Sequence, residues 1–193
     1  MHPDRVRRNA DAKAGDVLIL GKPLGVGVLS AALKKGKLDD AGYAQLVKTA
    51  TMLNKPGIEF AAMAGVNALT DVTGFGLAGH TLELARGAGV AAVIEWSKVP
   101  LLAGVAAMAA DGFVTGASGR NWEGFGTQVT LDAALPATAQ DLLADPQTSG
   151  GLLVSCAPDA VDEVLRIFAA GGFDAAAVIG RVEAGAPGLR VTA

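Results

Sequence analysis

The segment from Leu69 to His80 carries the clearest chemical pattern in the sequence. A predicted strand ends in the carboxylate of Asp71, and Thr73-Gly74-Phe75-Gly76 connects it to a predicted helix. Glycines at such a turn leave backbone N–H groups free to face an anion, and the positive end of the new helix adds to the attraction. A carboxylate beside bound phosphate would hold Mg²⁺, which takes one or two protein carboxylates and bridges to phosphate oxygens. The pattern therefore indicates a metal-and-phosphate corner.

The same residues also have a simpler explanation. Asp and Thr before a helix are ordinary N-caps, and glycine turns are ordinary connections. The turn matches neither the Walker A loop nor the G-x-G-x-x-G fingerprint of dinucleotide-binding proteins. His80 lies inside the predicted helix, where a histidine is more often packed or solvated than a ligand. The residues alone leave both interpretations open.

Two further clusters could line a site. The first is the loop Asp145–Gly151, although such a loop is more often a simple turn before a strand. Its candidate lining residues are Thr148, Ser149 and Gly150. The second is the segment at 116–121, where Arg120 could pair with phosphate bidentately and Asn121 follows it. A lone loop arginine is usually solvated, so this cluster stays a hypothesis.

Predicted strands and helices are mixed along the chain and position these loops. Short apolar runs predict strands at residues 17–20, 66–72, 90–96, 151–155, 175–182 and 189–192. Helical spacing predicts helices at 23–36, 39–55, 58–64, 77–86, 101–110, 137–143 and 158–170. Residues 115–127, rich in Gly, Ser and Asn, are predicted to form a long loop. A layered α/β or α+β fold follows from this mixture.

Composition excludes several classes of protein. The chain has 193 residues and is 51% apolar, which rules out disorder. The net charge of −3 gives no support to nonspecific nucleic-acid binding. One cysteine, Cys156, excludes an intramolecular disulfide, and in its apolar strand it is predicted to be an inert buried thiol. Neither a transmembrane run nor a signal peptide is evident, so no membrane association and a cytoplasmic location are expected.

Taken together, the clusters resemble the signatures of selenophosphate synthetase (selenide, water dikinase), and the resemblance covers essentially the whole chain. Two strings carry it most specifically: Thr70-Asp71-Val72-Thr73-Gly74-Phe75-Gly76-Leu77 with Gly79-His80, and Asp145-Pro146-Gln147-Thr148-Ser149-Gly150-Gly151-Leu152. Three shorter ones occur in the family's order: Arg5-Val6 with Asn9, Lys22-Pro23-Leu24-Gly25 with Gly27, and Gly119-Arg120-Asn121.

The resemblance implies a fold and a reaction. The fold is a three-layer α/β/α sandwich with a mixed sheet that is partly ferredoxin-like. The reaction converts selenide, ATP and water to selenophosphate, AMP and phosphate, with ATP and Mg²⁺ in a cleft between two domains. Asp71 aligns with the metal-binding aspartate of the C-terminal domain. The implied phosphate-binding residues are Thr70, Thr73, Gly74 and Gly76.

The resemblance is confined to the C-terminal half of the family. Residues 1–16 are interpreted as an arm from an N-terminal domain, and residues 17–193 as one C-terminal domain. The reactive Cys or selenocysteine and its lysine belong to the N-terminal domain, so no catalytic residue is assigned here and Cys156 is not promoted to that role. We expect this polypeptide alone to be inactive, a separate N-terminal domain to be a candidate partner, and the complete enzyme to be a homodimer.

Two other functions remain open from the sequence. The chain could be a non-catalytic module that binds nucleotide or regulates a partner. It could also be an ATP-dependent synthetase or kinase of another specificity in the wider aminoimidazole ribonucleotide synthetase-like superfamily. In every case an N-terminal domain that normally packs on this one predicts an exposed apolar face and some self-association of the fragment.

Overall fold

The computed structural model describes residues 6–193, which fold into one mixed sheet covered by helices. The strands are β1 (Val17–Leu20), β2 (Val66–Asp71), β3 (Ala91–Glu95), β4 (Val129–Leu131), β5 (Leu152–Cys156), β6 (Ala177–Glu183) and β7 (Gly188–Thr192). The α-helices of this part of the chain are α1 (Val26–Lys34), α2 (Asp40–Thr51), α3 (Gly57–Phe60), α4 (Gly76–Ala88), α5 (Val105–Ala110), α6 (Gly116–Phe125), α7 (Ala139–Leu143) and α8 (Val161–Ala170).

The sheet has the strand order β2-β5-β1-β6-β3-β7-β4. Pairing is antiparallel from β2 to β3 and parallel in the last two pairs, β3 with β7 and β7 with β4. The strand β2, which carries the predicted metal ligand Asp71, is therefore an edge strand, paired with β5 on one side only. The interior strand β3 has three consecutive buried residues, at positions 92–94, as its continuous apolar run predicts.

Side chains that alternate along β1 divide the core into two layers. Leu18 and Leu20 belong to the cluster that packs α4 onto one face, whereas Ile19 belongs to the cluster that packs α3 and α8 onto the other. A third cluster joins α1, α2, α5 and α7 beside the sheet. The expected α/β fold, with helix layers on both faces of a mixed sheet, is confirmed.

One predicted loop is wrong. Residues 116–125 form α6, because the Thr115 hydroxyl accepts a hydrogen bond from Ser118 N at 3.1 Å and caps the helix. Phe125 is buried and Trp122 packs on the same cluster as α4, so tertiary packing overrides the low helix propensity of the glycines. The three-residue edge strand β4 was too short to predict, and α5 begins at Val105 rather than near residue 101.

Parts of the N-terminal arm pack on the domain; Arg5 and the rest of residues 1–5 lie outside the described residues. Asn9–Asp11 form a 3₁₀ turn against α4, and Ala12 is buried. Asp16 is also buried, where its carboxylate accepts hydrogen bonds from Ser155 Oγ at 2.6 Å and Asn67 Nδ2 at 2.8 Å. That this arm leads to a further domain stays a prediction. Within residues 6–193, no helix is long and apolar enough to cross a membrane.

The thiol of Cys156 should be unreactive in the folded protein. It lies on β5 with no exposed surface, and burial raises its pKa to about 12, so almost no thiolate exists near neutral pH. We expect no labelling by a thiol reagent such as Ellman's reagent until the chain is unfolded, and then one label per chain. Rapid stoichiometric labelling of native protein, with unchanged circular dichroism, would contradict this.

Candidate functional site

Asp71 occupies the last position of β2, opposite Leu152 on β5, at the edge of the sheet. Its side chain is exposed, and it makes no hydrogen bond or ion pair with any residue in the described part of the chain. Thr70 precedes it half-buried, with its hydroxyl donating to Asp71 O at 3.3 Å. The edge of the sheet thus presents one unpaired carboxylate to solvent.

The turn after Asp71 is held rigidly by backbone hydrogen bonds. Val72 N donates to Gly151 O at 2.8 Å, and Thr73 O accepts from Gly76 N at 3.1 Å and Gln147 N at 3.0 Å. Gly76 has φ of +68°, and a Cβ there would lie 2.6 Å from Leu143 O, so glycine is required at this position. The predicted glycine turn therefore exists, fixed against the loop that contains Gln147.

The N-terminus of α4 is open to a ligand. Phe75 occupies the N-cap position, and no side chain among residues 6–193 caps the helix, so none of these residues neutralises its first-turn N–H groups and dipole with a carboxylate or hydroxyl. Gly74 is exposed, and a Cβ at this position would meet no atom within 4 Å. An anion can therefore approach the turn closely, beside the carboxylate of Asp71.

The N-terminus of α1, in contrast, is filled from within the protein. Gln147 Oε1 accepts from Gly25 N at 3.1 Å and Val26 N at 3.2 Å, and Asp145 Oδ2 accepts from Gly27 N at 3.0 Å. Gln147 Nε2 in turn donates to Asp145 Oδ2 at 2.8 Å. This helix end is not available to phosphate, and its role is to anchor the loop that carries Asp145 and Gln147.

Two more side chains hold the exposed end of that loop. Lys22, only 2% exposed, donates from Nζ to Met52 O at 2.6 Å, Thr49 O at 3.2 Å and Ser149 O. Its acceptors Met52 O and Thr49 O lie at the negative end of α2, and burial lowers the pKa of Lys22. Asn54 Nδ2 donates to Gly150 O at 2.8 Å.

These contacts fix an unusual backbone. Ser149 has φ of 55°, a left-handed conformation that non-glycine residues adopt rarely. A Cβ at Gly150 would collide with Val72 O, so the loop and the turn can touch only through a glycine. Thr148 and Ser149 are exposed beside this contact.

The amide of Asn121 on α6 joins the same corner. Its Nδ2 donates to Gly74 O at 2.8 Å and to Ala144 O at 3.0 Å. Arg120 lines an adjoining groove of about 270 Å³ between α4 and α6, together with Phe75 and Arg86. Arg120 and Arg86 supply positive charge next to the turn without facing Asp71 in an ion pair.

The structure brings most of the predicted site residues to one corner of the domain. Contacts within it connect the Asp71–Gly76 turn, the exposed end of the Asp145–Gly151 loop and Asn121, with Arg120 in the next groove. The sequence did not predict which side chains anchor the Asp145–Gly151 loop, namely Lys22, Asn54, Asp145 and Gln147. A lysine inside an apolar stretch, and a Gln and an Asp before a Gly-Gly pair, were the available signals.

The donor set at the corner fits a magnesium ion held mainly by other ligands. No cluster of three or more His, Cys, Asp or Glu side chains that could hold a metal occurs in residues 6–193. Within residues 6–193, the carboxylate that the corner would offer to a metal is therefore the single exposed one of Asp71. Mg²⁺ tolerates this, because it typically keeps several waters and takes phosphate oxygens beside one or two carboxylates.

The chain is similar to a known protein family and to named relatives. Residues 13–191 match the family described as AIR synthase related protein, C-terminal domain. The chain is 68% identical over 182 residues to selenide, water dikinase from Burkholderia ambifaria, covering 94% of this chain and 51% of that protein. The chain thus spans about half the length of the curated relatives it matches.

Two solved structures have a similar fold. The E. coli hydrogenase maturation protein HypE superimposes with a TM-score of 0.68 at 20% identity, covering 97% of this chain and 49% of that one. HypE in complex with ATP superimposes with a TM-score of 0.60 at 16% identity, covering 94% and 46%. At these identities the similarity establishes the fold alone.

The glycine at position 150 should be essential for stability, whereas that at 74 should not. Gly150→Ala places a Cβ against Val72 O and should lower the free energy of unfolding by about 1–3 kcal/mol. Gly74→Ala is the matched control, because its Cβ would enter open space and its stability should change by less than about 0.5 kcal/mol. Urea unfolding followed by circular dichroism measures both, and equal losses would contradict the close contact.

Asp145 should make stability fall between about pH 4 and pH 6. Burial raises its pKa from 3.8 to about 6, against the opposing hydrogen bonds of Gln147 and Gly27 N. The folded chain therefore binds the proton more tightly than the unfolded chain, so this contribution is present below pH 4 and lost as pH rises through 6. A shift of this size corresponds to about 3 kcal/mol.

The measurement is the free energy of urea unfolding across this pH range for the native chain and for Asp145→Asn. Their difference should decline with rising pH, and its slope is the readout, since the substitution also changes the hydrogen bonds by a constant amount. Parallel curves would show that Asp145 is already ionised across this pH range in the folded chain, and would contradict a raised pKa.

Proposed function

The chain belongs to the family of AIR synthase related proteins, C-terminal domain, and from that premise we propose that it is the C-terminal, ATP- and Mg²⁺-contributing domain of a selenophosphate synthetase. The proposed overall reaction converts selenide, ATP and water to selenophosphate, AMP and phosphate. Sequence identity of 68% to a protein named selenide, water dikinase supports this specificity over other members of the fold.

One observation carries the proposal: an unpaired carboxylate lies beside an uncapped helix N-terminus. Asp71 would hold Mg²⁺, and the metal would neutralise the charge of the phosphate chain. Thr73, Gly74 and the first turn of α4 would donate hydrogen bonds to phosphate oxygens. ATP is the ligand named for one solved HypE structure of the same fold, which is consistent with nucleotide binding by this chain.

The loop next to the turn would serve as a rigid wall. Its backbone is clamped by Lys22, Asn54 and the N-terminus of α1, so Thr148 and Ser149 would meet the ligand without a cost of ordering. Asn121 would hold the carbonyl of Gly74 away from the phosphate, because its Nδ2–H donates a hydrogen bond to that carbonyl oxygen. Arg120 would lie at the positive entrance to the corner.

This chain would supply half of an active site. Its single thiol is buried, so we propose that the nucleophile comes from another domain, together with any metal ligand beyond Asp71, water and phosphate oxygens. Exposed apolar side chains border the corner: Leu53 is 66%, Ile58 78% and Phe75 53% exposed. We propose that this rim packs against the N-terminal domain of the complete enzyme, which would be a cytoplasmic homodimer and would take selenide as its second substrate.

The alternative of a non-catalytic binding module makes a different prediction about activity. A chimera that carries this chain in place of the matching half of the Burkholderia ambifaria enzyme should release AMP and selenophosphate from ATP and selenide. ³¹P NMR distinguishes these products from ADP. The chain alone should release neither, whereas a binding module would leave the chimera as inactive as the isolated chain.

Within that chimera, Asp71→Asn should reduce activity and raise the Mg²⁺ concentration needed for half-maximal rate by about tenfold or more, as loss of one charged ligand contact predicts. Asp159→Asn is the matched control, because this aspartate is exposed at the start of the α8 segment, outside the corner. An unchanged magnesium dependence in Asp71→Asn would show that the metal lies elsewhere. Calorimetric titration of Mg²⁺–ATP into the isolated chain measures the affinity of the half-site itself.

A further inference from the structure

A hydrogen-bonded chain of three side chains runs from the phosphate corner into α4. The Thr73 hydroxyl lies 3.2 Å from His80 Nε2, and His80 Nδ1 lies 2.9 Å from Glu83 Oε2. His80 is only 8% exposed, and each of its ring nitrogens has one of these partners within hydrogen-bond distance. Hydroxyl, imidazole and carboxylate are thus connected in series.

The fold makes this arrangement rigid. Thr73 O accepts two backbone hydrogen bonds, so its position does not depend on the hydroxyl. His80 and Glu83 are three residues apart on α4 and meet on one face of the helix. The ring of Phe75 lies 5.8 Å from the imidazole, centre to centre, and covers it on one side. The three hydrogen-bonded side chains are therefore fixed relative to one another, and their protons are what can rearrange.

The proton positions have two self-consistent states. When His80 is neutral, Nδ1–H donates to the carboxylate of Glu83, and the hydroxyl of Thr73 must donate inward to Nε2. When one proton from solvent is added to Nε2, the imidazolium donates to Glu83 and to Thr73 Oγ1. The hydroxyl proton of Thr73 is then released to point outward, toward a phosphate oxygen at the corner.

We propose that His80 and Glu83 are positioning residues that direct the hydroxyl proton of Thr73, so that a phosphate oxygen binds there together with one proton taken up by His80. The inference rests on the proposed phosphate site. Binding adds negative charge beside Thr73, which favours the imidazolium. In turn the imidazolium contributes a positive charge one hydrogen bond away from the ligand.

Other charged groups around α4 do not compete for the imidazole. No hydrogen bond or ion pair within residues 6–193 joins His80 to any charged group except Glu83. In the described part of the chain, the other charged residues on α4 and on the elements packed against it are Arg86, Arg120, Glu123, Asp71, Asp141, Glu95, and the ion-paired Arg8–Asp11 and Arg190–Glu183.

The first test needs no ligand. In ¹⁵N-labelled chain, the imidazole nitrogen shifts of His80, identified by comparison with His80→Gln, should show neutral histidine protonated at Nδ1. Thr73→Val should shift the Nε2 resonance, because it removes the hydroxyl donor. A neutral imidazole protonated at Nε2 would overturn the proposal directly.

The second test counts protons on binding. Mg²⁺–ATP is titrated into the chain by calorimetry at about pH 7.5, near which a histidine can change charge, in two buffers of different ionisation enthalpy. The native chain should take up as much as one more proton per ATP than His80→Gln, since protons gained or lost by the nucleotide are common to both. Glu83→Gln should move the uptake to lower pH, because it removes the carboxylate that favours the imidazolium.

Matched substitutions separate positioning from folding. Thr73→Val should weaken ATP binding about tenfold, whereas Thr73→Ser keeps the hydroxyl and should restore it. Glu163→Gln removes an exposed i,i+3 partner on α8 and should leave affinity and proton uptake unchanged. Glu83 is partly exposed, so Glu83→Gln provides a readout even if His80→Gln unfolds.

The outcomes are distinguishable. ATP binding with equal proton uptake in the native chain and His80→Gln overturns this inference and leaves the proposed phosphate site standing. If the isolated half-site binds no ATP, the same titrations are made with the chimera, and absence of ATP binding there contradicts the proposed function and the proton uptake with it. Binding with an uptake that both His80→Gln and Thr73→Val abolish supports both.

Discussion

The geometry of the corner depends on the contact between two backbone segments, the turn after β2 and the loop before β5. They approach so closely at Gly150 and Val72 O that no side chain fits between them. Buried backbone polar groups must be satisfied, and side chains do this around the loop. Buried Lys22 and half-buried Asn54 donate to carbonyls of the loop, and buried Gln147 accepts from the N–H groups that begin α1. Charge is placed in the interior for this purpose, at a cost that the carbonyl ligands of Lys22 offset.

This construction explains the position of the site on the fold. The antiparallel part of the sheet ends in β2, and β5 continues from the loop directly beside it, so the two segments share one edge. An uncapped α4 begins at that edge, while α1 is closed by the same loop. Among the described residues, no side chain caps the N-terminus of α4, whereas the N-terminus of α1 is used as an anchor, although both helices begin at glycine-rich turns.

Sequence reasoning could predict the corner because its signal is local. A strand, a carboxylate, a glycine turn and a helix start lie within twelve residues, and the motif places Asp71, Thr73 and Gly74 without knowledge of the rest. The anchors could not be predicted, since Lys22 and Ser149 are 127 residues apart and meet only through the tertiary fold. The loop predicted for residues 115–127 was wrong for a related reason. Their glycines indicate a loop, and only packing of Phe125 against α4 makes a helix the more stable state.

The cap on α1 makes two distant stretches of sequence, residues 25–27 and 145–147, depend on each other. A residue at 147 that cannot accept two amide protons would leave Gly25 N and Val26 N without partners in the interior. A helix start that capped itself would in turn make the amide of Gln147 redundant. Exchanges at 25–27 and 145–147 should therefore be tolerated in combination and rejected singly, so grafting either stretch from a distant relative requires the other.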